Sequence, residues 1–344
     1  MLNFHFQPAS LFEYNSIHGE YPFWVTHTKS WTRVIEKSFA HIKGYIAADN
    51  TTISPDCSFL PVYRIKKPFK RNSWLSIPYA TVSDPVFKTK THSGPFLKSL
   101  INHPLTKNCP LEIRSSFKLS SDSHFSRHDG YFNHQIILND TEDNVFKRFH
   151  RKAVQIPVRK SLSSGITLKV SNSMDDVSFF YKSYTIMRRE LGLLPQPYRF
   201  FKNMWKELCP DNLELLIAEY NGKPVAGLWI LKNQWLYSFE YIARARRNTK
   251  LHCAHFLYWN GIKRAINSGI SKVSFGRTSA KNESLNLFKQ RWGTEITPYY
   301  DYKYPIKTEE SREDSRMYML MQKYSPKLPL PVFRLLGEII YRLV

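Results

Sequence analysis

The chain has 344 residues, of which 42% are hydrophobic and 15% aromatic; that is enough to bury the cores of two domains and too much for a disordered polymer. Fifty lysines and arginines against 28 acidic residues leave a formal charge of +22, which favours anionic partners: RNA, an acidic membrane face or a phosphate-bearing substrate. Four dispersed cysteines (Cys57, Cys109, Cys209, Cys253), an N-terminus without a basic region ahead of an apolar run, and no apolar stretch near the ~20 residues of a membrane span set the remaining bounds. We expect a reduced, cytoplasmic chain with no disulfide framework, one that meets a membrane only peripherally on its inner face.

In chain order, the spacing of apolar residues predicts a helix over Trp31–Phe39 and a strand over Gly44–Ala48. A short buried segment follows at Trp74–Tyr79, then a helix from Pro95 to Asn102 with the proline at its first position. Strands are expected at Leu111–Arg114 and Gln135–Leu138. The basic segment Phe146–Lys160 and the stop at Gly165 separate this set from the next.

The second half reads more clearly. Ile166–Val170 alternates as a strand, and Asp175–Leu191 is a helix with Ser173 or Asp175 as its cap and Gly192 as its stop. Pro197 opens a helix that runs to Leu208. Leu213–Tyr220 and Pro224–Leu231 flank Asn221-Gly222, the strongest short signal for a hairpin. A strand at Trp235–Ala243, a helix at His252–Asn267, a strand at Ser271–Phe275, a helix at Glu283–Arg291 and a strand at Tyr299–Tyr304 complete the set. The fold class expected is α/β (α+β), with mixed, mostly antiparallel sheets flanked by helices. The boundaries expected are 1–150, 151–310 and a C-terminal extension, 311–344.

The stretch Lys272–Gly293 is the most informative for chemistry. It reads as a strand, a polar glycine turn with Arg277, and a short helix that ends in Phe288-Lys289 and Trp292-Gly293. A cation near a strand end is where an α/β enzyme holds an anion or a developing negative charge. Arg277 suits a phosphate or carboxylate, or an ion pair with Glu283. Lys289 reads as such a cation or as a solvated lysine on an amphipathic helix. Glu240, on its strand, is a candidate base or an ordinary paired carboxylate. Trp292-Gly293 reads as packing and a turn. His252 and His255 have no third ligand at metal spacing, so no metal is expected.

Three segments together, Phe149–Lys160, Ile217–Gly227 and the Phe275-Gly-Arg…Phe288-Lys…Trp292-Gly block, resemble the FemAB-related branch of the GNAT acyltransferase superfamily; Leu75–Tyr79 and Leu111–Arg114 fit as well. The resemblance implies tandem GNAT-like domains and direct acyl transfer to an amine or hydroxyl of a cell-envelope glycan or lipid-linked precursor, with no covalent enzyme intermediate. It implies acyl-CoA as co-substrate, or alternatively aminoacyl-tRNA, against which the absence of a coiled-coil arm weighs. It implies that Lys289, after Phe288, stabilises charge, with Phe288 on the substrate side, and that Arg246, Arg247, Asn248, Thr249 and Lys250 precede the helix that faces the donor phosphates. The basic run that includes Arg151, Lys152, Arg159 and Lys160 then faces a diphosphate-linked glycan or tRNA, or is simply a solvated face.

Two departures support an alternative, a catalytically degraded binding protein of the envelope polysaccharide pathway: Ser274 stands where relatives commonly have Asp, and the loop Arg244–Lys250 has no glycine. In the tail, Val332, Leu335, Leu336, Ile339, Ile340 and Leu343 share one helical face, which suits an anionic membrane through 328–344 or docking on the chain's own domain.

Overall fold

The computed structural model describes residues 4–14, 23–54, 56–67, 71–89, 92–120, 124–244, 250–306, 320 and 322–343. It divides into two compact units, one of residues 1–132, 297–309 and 342–344, the other of 133–296 and 310–341. Both are mixed α/β, with mostly antiparallel pairing, as the periodicity predicts.

The first unit contains β1 (His5–Pro8), β2 (Glu13–Tyr14), α1 (Lys29–Ser38), β3 (Ile42–Ala48), β4 (Thr52–Ile53), β5 (Phe59–Ile65), β6 (Ser73–Ser76), α2 (Ser93–Asn102) and β7 (Leu111–Ser115). α1 begins where Thr28 Oγ1 accepts the amide of Trp31 at 3.3 Å. α2 begins two residues before the expected proline. β5, a central strand, pairs with β3 from Ile42↔Ile65 to Ala48↔Phe59. No strand is expected there from sequence, because a proline inside an apolar run argues against a central strand; Pro61 nevertheless sits opposite Ile46.

Beyond β7 the next strand is a late segment, Glu295–Tyr304 (β14 in chain order), which pairs antiparallel with β7 from Tyr300↔Ser115 to Tyr304↔Leu111. Tyr302 lies in the core with Trp74, Phe96, Leu100 and Ile113, and its hydroxyl accepts the amide of Leu119 at 2.9 Å.

β8 (Ser126–Ile137) contributes to the second unit from Asn133 onward. It extends well before the expected Gln135, since its first half is too polar to show apolar alternation. After it come α3 (Glu142–Lys147), a π-helical turn (Arg151–Gln155) and α4 (Ile156–Leu162). Phe146–Lys160 is therefore largely helical: Val154 and Val158 are buried while the cations point outward.

Next are β9 (Thr167–Val170), α5 (Met174–Glu190), α6 (Tyr198–Leu208), β10 (Leu213–Tyr220), β11 (Lys223–Lys232), β12 (Leu236–Arg244), α7 (Cys253–Asn267), β13 (Lys272–Ser279), α8 (Glu283–Gln290) and, in the tail, α9 (Leu330–Leu343). The strand order is β8-β13-β12-β11-β10-β9. Asn221 and Gly222 turn the β10–β11 hairpin with φ of 50° and 68°, the left-handed pair that a two-residue turn needs. α7 carries the chain from β12 to the parallel β13 and lies close on the sheet: a Cβ on Gly261 would meet the Phe239 ring at 2.9 Å.

Candidate functional site

The site is built where β12 and β13 part. The two strands pair in parallel from Leu236↔Lys272 to Ser238↔Ser274, yet β12 continues to Arg244 and β13 to Ser279. Two residues beyond the last pair, each strand is irregular. On β12 the register with β11 shifts, so that Trp229 faces Tyr241 and Ile230 faces Phe239; Glu240 is the extra residue of a bulge. On β13, Gly276 has φ of 74°, and its amide donates to Ser274 Oγ at 3.0 Å. A side chain at Gly276 would be strained in this conformation.

The polar turn predicted to follow the strand is thus a kink within it. This corrects the position of Arg277: it lies half-buried inside β13, because the strand continues to Ser279 through a glycine that a sequence pattern reads as a terminator.

α8 brings the cation to this point. Asn282 Oδ1 caps the helix by accepting the amide of Leu285 at 3.2 Å. Lys289, in the last turn, is only 7% exposed, and its Nζ donates to the Gly276 carbonyl at 3.0 Å. Burial brings the ammonium down to a pKa of about 8, opposed by the negative charge of Glu240, so the group is mostly protonated at pH 7. Its remaining N–H bonds supply positive charge in a poorly solvated place. Glu240 is half-buried and accepts the Ser238 hydroxyl at 2.6 Å.

Beside Lys289 lies a polar group absent from the sequence reading. Asn286 Nδ2 donates to the carbonyls of Ser279 at 2.8 Å and Asn282 at 3.0 Å. This turns Asn286 Oδ1 toward His134 Nε2, 2.9 Å away. His134 Nε2 therefore carries the hydrogen, and Nδ1, 3.2 Å from Thr294 Oγ1, is the accepting nitrogen. His134 is fully buried; burial lowers its pKa, opposed by the Asn286 hydrogen bond and aided by the Lys289 charge. Asn286→Ala is expected to cost about 2–3 kcal/mol in a denaturant titration, since it strips buried partners from His134 and two carbonyls at once.

The other expected residues are more scattered. Arg151, Lys152, Arg159 and Lys160 are exposed on the π turn and α4; Arg159 lies over the Phe146 ring at 5.5 Å. Phe288 is half-buried against His255, Tyr258 and Trp292. Lys250 is exposed just before α7, whereas Arg246, Arg247, Asn248 and Thr249 lie outside the described residues. His255 Nε2 is 3.1 Å from the Ala153 carbonyl, and among the described residues no three His, Cys, Asp or Glu side chains gather as metal ligands. No described helix is long and apolar enough to cross a membrane.

Comparison with known proteins matches residues 148–303 to the family described as acetyltransferase (GNAT) domain. A UDP-N-acetylmuramoylpentapeptide-lysine N(6)-alanyltransferase of Weissella viridescens is 22% identical over 134 residues, 38% of this chain and 40% of the relative. The match therefore spans about two fifths of that relative's length.

Among solved structures, FemX is similar with a TM-score of 0.65 at 13% identity, over 86% of this chain and 93% of that one. L-PGS from Bacillus licheniformis is similar with a TM-score of 0.50 at 12% identity, over 76% and 85% of the two chains. At such identities the likeness is one of fold.

Proposed function

We propose that this chain, a FemAB-related protein of the GNAT superfamily, is an acyltransferase that moves an aminoacyl or acyl group onto a primary amine of a cell-wall glycan precursor. The observation that carries the reading is the buried Lys289 ammonium, held on the Gly276 carbonyl where β12 and β13 part, with the Glu240 carboxylate on the facing strand. The alanyltransferase relative supports an amine acceptor and an aminoacyl donor. The charge of +22 suits a polyanionic donor such as aminoacyl-tRNA, and acyl-CoA is the second donor class to test.

Direct transfer needs a donor carbonyl held beside the amine, a base, and charge at the oxyanion. In this reading the donor lies along the free stretch of β12, whose backbone groups beyond Ser238 face no pairing from β13. The acceptor amine attacks the ester or thioester carbonyl, Glu240 takes the proton that the nitrogen loses, and Lys289 donates to the oxyanion. Collapse forms the amide bond and expels the donor's hydroxyl or thiol, which receives the proton. Ser274, where relatives commonly have Asp, accepts the Gly276 amide and so supports the kink that presents the Gly276 carbonyl to Lys289. Arg277 and the exposed Lys250, Arg151, Lys152, Arg159 and Lys160 are the cations proposed for donor or precursor phosphates.

The test is a transfer assay with UDP-N-acetylmuramoylpentapeptide as acceptor, run with alanyl-tRNA and separately with acetyl-CoA, and read by the mass of the acceptor. The expected result is one added acyl group on an amine with one of the two donors. Saturable acceptor binding without transfer from either would overturn the enzyme reading in favour of a binding protein.

A further inference from the structure

The second unit has a surface that the acyl-transfer reading leaves unused. α9 spans 14 residues, and one of its faces is docked. Phe333 is fully buried, and Gly337 lies so close to Pro195 that a Cβ there would meet the Pro195 carbonyl at 2.6 Å. Arg199 pairs with Glu338 at 3.7 Å, the Arg334 guanidinium lies over the Tyr181 ring at 5.3 Å, and Arg189 donates to the Leu328 carbonyl at 3.1 Å. These contacts fix how the helix is turned.

The opposite face presents Val332, Leu335 and Ile339 at spacings of three and four residues, 45%, 59% and 44% exposed. Leu320 and Tyr324, just before the helix, are exposed as well.

We propose that this face of α9, with the turn before it, docks on an anionic lipid bilayer. Charge selects that partner. Lys323, Lys327, Arg334 and Arg342 are exposed around the apolar stripe. The single acidic residue among the described positions 320–343, Glu338, is engaged with Arg199. A second copy of the chain would bring the same cations against these, whereas anionic headgroups neutralise them while the stripe enters the acyl boundary. A helix of this length reaches about 21 Å, short of the ~30 Å hydrocarbon core, so it lies in the interface plane. Because the inner face is already packed, the helix need not fold on arrival. The proposal does not depend on the acyl-transfer chemistry.

The test is sedimentation of the whole chain with phosphatidylglycerol–phosphatidylcholine vesicles, with pure phosphatidylcholine vesicles and without lipid. Binding is expected only to the anionic vesicles and should weaken as salt rises. L335S/I339S is expected to lower the partition coefficient at least about tenfold, and K327E/R342E by a similar factor, both with unchanged circular dichroism. Equal binding to neutral vesicles, no binding to anionic ones, or unaltered binding by L335S/I339S would overturn the proposal. So would a shift of that variant from dimer to monomer with its lipid binding intact, which would make the face a self-association surface.

Discussion

Replacing Lys289 with methionine is expected to slow acyl transfer by about 10²–10³-fold while making the fold more stable at pH 7 by about 1–3 kcal/mol. The two effects share a cause. The ammonium is buried, and burial lowers its pKa from 10.5 to about 8. Below pH 8 both folded and unfolded chains are protonated, and the folded chain bears the full cost of a desolvated charge. Between about 8 and 10.5 the unfolded chain binds more protons, so stability rises with pH across that window and the cost is gone above it. Methionine removes the charge at every pH but leaves the Gly276 carbonyl without its donor, which keeps the gain below the full linkage value.

Denaturant midpoints for both proteins at pH 7 and pH 10 check this. The gap between them should narrow at the higher pH; a constant gap would mean that protonation of Lys289 does not set the cost. The rate should report the same group, with kcat/KM in the parent falling as pH rises through about 8 and the residual kcat/KM of the variant lacking that limb.

The second large effect is expected at Trp292. Trp292→Ala should destabilise the fold by about 3–5 kcal/mol and abolish activity with it. The indole is fully buried, with ring centroids 5.2 Å from Phe149, 5.7 Å from His255, 5.5 Å from Tyr258 and 5.7 Å from Phe275. It joins the end of α3, α7 and β13 to the turn that closes α8, so the cavity would lie directly behind the helix that holds Lys289. Trp292→Phe should cost far less, about 1–2 kcal/mol, because the indole N–H has no hydrogen-bond partner to lose. Thermal denaturation with both variants decides the matter; equal losses would show that ring volume is not what the site requires.

The second unit was largely legible because its signals are local. The β10–β11 hairpin follows from Asn221-Gly222 between two apolar runs, and α5 from Ser173 at one end and Gly192 at the other. The first unit hid its central strand behind Pro61, and the polar half of β8 gave no periodicity to read.

At the candidate site, residue identities were easier to find than environments. Lys289 stood out through its neighbours in sequence, but nothing local says that a lysine in the last turn of a short amphipathic helix is buried. That depends on Gly276, thirteen positions away, adopting a left-handed conformation inside a strand. His134 and Asn286 are 152 positions apart, and neither carries a motif. Only the closed fold brings a histidine from β8 under α8.

The exchange of β14 has a consequence for how the chain matures on the ribosome. The first unit's sheet and core lack Tyr300 and Tyr302 until the last residues of the segment 148–303 have been made. Until then β7 has an open edge where its antiparallel partner belongs, the kind of template that recruits strands from other chains. The two units therefore cannot mature in simple N-to-C succession. A nascent chain must hold an incomplete first sheet while it synthesises nearly all of the second unit, and a fragment cut at residue 132 inherits that unfinished edge permanently.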